Sequence, residues 1–280
     1  MESFKIKKVL NNNVLIAVHK KIQEVVLIGK GIGFGRKQGE EISPQKAEKI
    51  FVLKNQKEQE QYKMLVTQVD EDFIEVMNDV IHHITNRVHG QLNEHIHIAL
   101  TDHISFAIKR LEQGLEFTNP FLLETKSLYP TEYEISEEVI KILQDKLGVS
   151  FPEGEIGFVA LHIHSAISNH TLSEVNQYSQ LIGQVVGMIE NSLDVTLDRQ
   201  SIHYLRLIRH LRYTIDRVKS GEVLEEPESL KKVLKQEYPI CYNLSWKVIK
   251  VMQQALKVKV YDAEAVYLTM HLQRLVSKNI

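Results

Sequence analysis

Cysteine is nearly absent: Cys241 is the only one in 280 residues. That excludes an intramolecular disulfide and any cysteine-based metal cluster, and it fits a reducing cytoplasm. No apolar run approaches the roughly 18–20 residues of a membrane span. The start, Met-Glu-Ser-Phe-Lys-Ile-Lys-Lys, lacks the apolar core of a signal sequence. The expectation is a cytoplasmic protein without membrane insertion. A His-Glu-x-x-His metal motif is missing as well. Gly29-x-Gly31-x-Gly33-x-Gly35 resembles a phosphate cradle only superficially, because Arg36-Lys37-Gln38-Gly39 follows it instead of an apolar helix.

What is present is an ordinary globular composition, 43% hydrophobic and 25% charged, with an uneven charge. Residues 1–39 hold eight Lys or Arg against Glu2 and Glu24, a net of +6 that leaves −8 for the rest of a chain whose total is −2. A basic head on an acidic body suggests a polyanion-binding segment joined to a regulatory one. The head reads as strands: Phe4 to Lys7 alternates, and Val14–Val18, Glu24–Ile28 and Ile50–Leu53 are short β-branched runs. Asn11-Asn12-Asn13 suits a hairpin turn, since Asn tolerates positive φ. A β domain this small is often stabilised by self-association.

From Lys54 to Tyr62 the chain is polar, a linker or helix start. Beyond it the period becomes 3.6: Phe73, Ile74, Met77, Val80, Ile81 and Ile84 share one helix face, and Leu92, Ile96, Leu100, His103 and Ala107 another. Ser136 reads as the start of a helix that runs to Lys146 and stops at Gly148. Residues 155–168 form the next helix.

A repeat organises this helical part. At an offset of 109, Tyr129-Pro130, Gln144, Glu155 and His162 match Tyr238-Pro239, Gln253, Glu264 and His271. At 107, Leu100, His103, Arg110 and Gly114 match Leu207, His210, Arg217 and Gly221. The fold class is therefore multidomain. A small all-β domain (1–60) is followed by two tandem all-α helical-bundle domains (61–170 and 171–280).

Each copy carries two histidines that interrupt an apolar stripe, so His103, His162, His210 and His271 face a cleft or an interface. Three chemistries are open to them. As metal ligands they lack company: His95 and His97, like His162 and His164, are two apart and point to different faces. As catalytic groups they could be oriented by Asp102 or Glu155, but no serine or cysteine nucleophile accompanies them. As phosphoryl acceptors they would form switches, with Arg206, Arg209 and Arg212 around His210 and Lys109-Arg110 near His103. In the basic head, Phe34 can stack on a base and Asn11 to Asn13 can bond base edges, as RNA recognition requires.

Taken together, Lys8-Val-Leu-Asn-Asn-Asn13-Val, Gly29-Lys-Gly-Ile-Gly-Phe34, Leu100-Thr-Asp-His-Ile, Gly157-Phe-Val-Ala-Leu-His and Leu268-Thr-Met-His-Leu resemble the BglG/LicT-type transcription antiterminators over essentially the whole chain. Glu94-His-Ile-His-Ile-Ala-Leu-Thr-Asp-His and Pro152-Glu-Gly-Glu-Ile-Gly-Phe look like the glucose-permease branch of Gram-positive bacteria. The resemblance implies a non-enzymatic regulator with no cofactor and no bound metal. Its β domain, as a homodimer, would clamp a leader mRNA hairpin that competes with a terminator. It implies RNA contacts at Lys8, Asn13, Gly29, Lys30 and Phe34. Several relatives have Arg in place of Lys30, and Lys lacks the planar fork for bidentate contacts. It implies phosphorylation of His103 and His162 by the sugar permease (its EIIB component, for glucose) and of His210 and His271 by the general phosphocarrier protein HPr. A DNA-binding activator with the same regulatory domains is the alternative, against which the strand-rich head argues.

Overall fold

Period-two alternation in the head produces a five-stranded antiparallel sheet, ordered β4-β1-β2-β3-β5. Its strands are β1 (Phe4–Val9), β2 (Val14–Val18), β3 (Glu24–Ile28), β4 (Glu41–Ile42) and β5 (Lys49–Val52). The computed structural model describes residues 3–19, 24–52, 56–168, 170–225 and 227–276. Leu53 at the end of the fourth expected strand, Lys54 and Asn55 of the polar stretch, and Asn169 at the expected repeat boundary lie outside the described residues. β1 pairs with β2 through Lys5↔Val18 and Val9↔Leu15, with an irregularity between Ile6 and Lys8.

β2 and β3 are buried on both faces, as strands covered on two sides must be. Phe4, Ile6, Leu15, Ala17, Val25, Leu27, Ile32 and Ile42 form one cluster. Val14, Ile16, Val26 and Ile28 point the other way, into a core they share with helices. The helices of the same chain therefore cover this face of the sheet.

The helices are α1 (Gln56–Gln68), α2 (Glu71–Arg87), α3 (Ile96–Glu112), α4 (Leu122–Leu128), α5 (Pro130–Leu147), α6 (Glu153–Ile167), α7 (Leu172–Leu193), α8 (Ile202–Ser220), α9 (Glu228–Glu237), α10 (Pro239–Leu256) and α11 (Asp262–Val276). Two compact units result. One comprises 1–118 with 134–169, the other 119–133 with 170–280.

In the first unit, Phe73, Ile74, Met77, Val80, Ile81 and Ile84 of α2 meet Ile96, Leu100, Ile104 and Ala107 of α3 and Val159 and Ile163 of α6. The expected periodicity is thus the observed core. The start of α5 differs from expectation. It begins at Pro130, and Ser136 is fully buried inside it. Proline is well suited to a first helical turn, where the missing N–H costs nothing. Gly148, at φ +67, ends α5 as expected, its N–H reaching the Gln144 carbonyl at 3.0 Å.

In the second unit, α7 starts with a capping box, in which Thr171 and Glu174 satisfy each other's backbone N–H. The repeat equivalents α4 and α9 pack differently. α9 lies against α10 and α11 of its own repeat, whereas α4 lies against α7 and α8.

Candidate functional site

Two sets of residues emerge, one in the basic head and one in the helical units. In the head, the β1–β2 turn and the glycine loop are stitched together. The Asn13 side-chain carbonyl accepts from the Gly31 N–H at 2.8 Å, and the Gly29 N–H donates to the Asn13 carbonyl at 3.0 Å. Gly31 needs the left-handed region (φ +65), and a Cβ on Gly29 would meet the Lys46 carbonyl oxygen at 2.9 Å.

The asparagines shape the turn by another device than the expected one. Among the described residues the only non-glycine positive φ values are at Asp194 and Lys257. Asn11 instead accepts from the Asn13 N–H at 2.9 Å, a side-chain turn that spares the backbone positive φ. The side-chain carbonyls of Asn11 and Asn13 are thus engaged in holding the loop. Phe34 stands 75% exposed at the loop tip, more open than any other exposed large hydrophobic among the described residues. Lys8 and Lys30 are exposed too.

Acid from α2 meets this loop. The Lys30 ammonium bonds Glu75 at 3.1 Å, and the Asn12 N–H donates to Glu71 at 3.1 Å. A hydrogen bond and the charge of Glu75 raise the Lys30 pKa, with Glu48 and Asp72 adding to it. A polyanion approaching Lys30 must displace Glu75. Glu75→Gln is therefore expected to tighten binding of a bulged RNA hairpin by about 1.5- to 5-fold, the worth of an exposed ion pair. The gain should shrink at high salt, and filter binding at two salt concentrations checks it.

In the first unit, His103 on α3 and His162 on α6 face each other with ring centroids 4.9 Å apart. His103 Nε2 lies 3.0 Å from the Glu155 carboxylate of α6. Arg110, seven residues after His103 and so on the same helix face, bonds the other oxygen of Glu155 at 2.5 Å. Glu155 is fully buried. Burial pushes its pKa up, but the hydrogen bonds and charges of His103 and Arg110 outweigh that and hold it below the usual carboxylate value. Burial, with the charges of His103 and His95, depresses the His162 pKa to about 3.

In the second unit, His210 on α8 and His271 on α11 stack, with centroids 4.6 Å apart and planes at 23°. Their carboxylate, Glu264, is gripped by both arms of Arg217 at 2.9 and 3.0 Å and by the Thr214 hydroxyl at 2.8 Å. His210 stands off at 3.8 Å. Here His210 is the imidazole depressed to about 3, by burial, His271 and Arg217. His271 is lowered by burial and by the charges of Arg274 and Arg206.

The repeat thus brings every expected histidine to its partner but corrects the cation reading. Of the three arginines expected around His210, Arg206 does act, on His271 together with Arg274, and Arg217 adds its charge at His210, whereas Arg212 donates to the Leu128 carbonyl at 2.8 Å. Helix geometry is the reason: residues one before and two after His210 point away from it, while one seven after returns to its face. Asp102 and Lys109 likewise point outward from the first pair. Arg110 and Glu155 were visible in the repeat as matched positions, but not as one cluster.

Among the described residues, no group of three or more His, Cys, Asp or Glu is placed to hold a metal ion, and no helix is long and apolar enough to cross a membrane.

This is the architecture of a sheet-based RNA-binding domain joined to duplicated histidine-bearing helical domains. Residues 4–60 match the CAT RNA binding domain, and residues 78–166 and 183–275 each match the PRD domain. The chain belongs to the family that combines them, the BglG/LicT-type transcription antiterminators. It is 60% identical over 276 residues to the PtsGHI operon antiterminator of Bacillus subtilis, covering 99% of this chain and 98% of that protein. It is 42% identical over 273 residues to Protein GlcT of Staphylococcus saprophyticus, covering 97% of each. Among solved structures, a GlcT CAT-PRDI crystal structure shares 62% identity and a TM-score of 0.56, over 60% of this chain and all of that one.

Proposed function

We propose that this chain acts in the cytoplasm as the antiterminator of a glucose-permease operon, a regulator rather than an enzyme. A leader mRNA hairpin would be its target. Lys8, Lys30 and the exposed Phe34 would meet the RNA, on a loop shaped by Asn13 and Gly29. Membership of the antiterminator family and the two histidine pairs support this reading, and among the described residues of the head no α-helix before α1 is present to read DNA. The single observation that carries it is the coexistence of a stitched, basic, phenylalanine-tipped loop with two half-buried histidine pairs on one chain.

His103 and His162 would receive phosphate from the EIIB component of the sugar permease, and His210 and His271 from HPr. A phosphoryl group brings nearly two negative charges. Next to the buried Glu155 it forces a choice between the phosphate and the carboxylate for Arg110. The protein would work as a homodimer. Sedimentation of the unphosphorylated chain tests that, with a monomer at micromolar concentration as the contrary result.

His103→Ala is expected to give antitermination with and without sugar in a leader–reporter strain. The wild type should respond to sugar. A variant that stays repressed without sugar, at normal protein level, contradicts the assignment.

A further inference from the structure

We propose that Glu155 is a positioning residue that prepares His103 to accept a phosphoryl group on Nδ1, and that the second pair lacks this device. The inference rests on the reading of the histidines as phosphoryl acceptors and goes beyond it in naming the atom and the group that selects it.

The geometry has three parts. Glu155 is fully buried and held by Arg110 at 2.5 Å. An ionised carboxylate only accepts hydrogen bonds, and an adjacent guanidinium in a buried site keeps it ionised. His103 Nε2, 3.0 Å away, therefore carries a proton, and the nitrogen that can hold a free lone pair is Nδ1. A carboxylate that fixes an imidazole's tautomer and orientation is a recurrent device in proteins. His103 is also the more open member of its pair, with 18% of its side chain exposed against a buried His162.

In the second unit the same four residue types are arranged otherwise. Arg217 takes both oxygens of Glu264, Thr214 adds a third bond, and His210 is left at 3.8 Å with 12% exposure. At 3.8 Å His210 Nε2 is beyond hydrogen-bond distance of Glu264, so the carboxylate does not select the tautomer there. Matched positions in the repeat thus differ in function.

In the step itself, the Nδ1 lone pair of His103 attacks phosphorus. The bond from phosphorus to the donor's nitrogen or sulfur breaks, and its electron pair leaves with the donor. The imidazole proton stays on Nε2. As the ring gains positive charge, the bond from Nε2–H to Glu155 strengthens, so the carboxylate stabilises the transition state more than the ground state.

The test uses the full-length protein and potassium phosphoramidate, a small donor that needs no docking surface and releases ammonia. Mass spectrometry follows each histidine, and phosphorus and nitrogen NMR identify the phosphohistidine isomer. The wild type should be modified at His103 on the order of tenfold or more faster than at His210, as the Nδ1 isomer. Glu155→Gln should slow His103 by a similar factor and shift product toward Nε2, without changing the rate at His271. Glu264→Gln should leave His210 within about twofold, since no bond to it is lost.

An Nε2 product on wild-type His103, or an unchanged His103 rate in folded Glu155→Gln protein, overturns the proposal. If a glutamine variant does not fold, the wild-type isomer decides alone. Parallel transfer from phosphorylated HPr and from the permease EIIB component separates the two levels. His103 accepting equally well in wild type and Glu155→Gln overturns the positioning role and leaves the switch reading standing. No acceptance by any histidine from any donor overturns both.

Discussion

Arg110→Met is expected to lower the unfolding free energy by about 3–5 kcal/mol, the cost of leaving one member of a buried ion pair without its partner. The residue left behind is Glu155, fully buried on α6. Its remaining partner would be the His103 imidazole, at 3.0 Å. The guanidinium of Arg110 also lies over the Phe117 ring at 4.3 Å and the Phe106 ring at 5.4 Å, packing that methionine replaces only in part. The double variant Arg110→Met, Glu155→Met should recover most of the loss, because an apolar pair of similar volume removes both desolvation costs. Urea unfolding of the four members of the cycle checks this. A single-variant loss under about 1 kcal/mol would mean that Glu155 is not held ionised by Arg110.

Acid should weaken the protein through its buried imidazoles. His162 and His210 are held near pKa 3 in the folded chain by burial and by neighbouring positive charge, while an unfolded histidine titrates near 6.5. Above pH 6.5 both states are neutral and nothing is lost. Below it the unfolded chain takes up protons that the folded chain refuses. Stability then falls by up to about 1.4 kcal/mol per pH unit for each histidine, through the interval from about 6.5 toward 3. His162→Gln removes one of these sites. Wild type and variant should therefore run parallel above pH 7 and converge or cross as the pH drops to 4.5, a relative change of about 2–3 kcal/mol. Parallel curves down to pH 4.5 would show that His162 is not a buried neutral imidazole.

Much of this was readable before any coordinates. The change of period from 2 to 3.6 separates sheet from helices, and Phe73 to Ile84 land in the core that their spacing marks out. The 107 and 109 offsets place Arg110 opposite Arg217 and Glu155 opposite Glu264. What spacing could not convey is how two such positions meet. Glu155 is 45 residues from Arg110 and on another helix, and one bond of 2.5 Å in place of two near 3 Å separates a carboxylate free to hold a histidine from one that is not. The start of α5 at Pro130 was missed because Ser136 looks like a cap in isolation, although it is buried in mid-helix. The placing of Arg209 and Arg212 beside Arg206 around His210 has the same origin. Neighbours in sequence were counted as neighbours on a face.

The meeting of Glu75 with Lys30 was also out of reach of sequence reading. It joins the output loop of the head to α2, which shares its core with the histidine-bearing α3 and α6. The basic loop, α2 and the first histidine pair thus lie within one compact unit.

The most direct test of the whole account is a titration of the full-length, unphosphorylated protein against a bulged leader RNA hairpin and an unrelated duplex, at two salt concentrations. Binding to the hairpin should be on the order of 100-fold tighter or more at the higher salt, lost on Phe34→Ala with Lys30→Ala and abolished by prior phosphorylation of His103. Equal affinity for hairpin and duplex, or hairpin binding indifferent to phosphorylation, would contradict it.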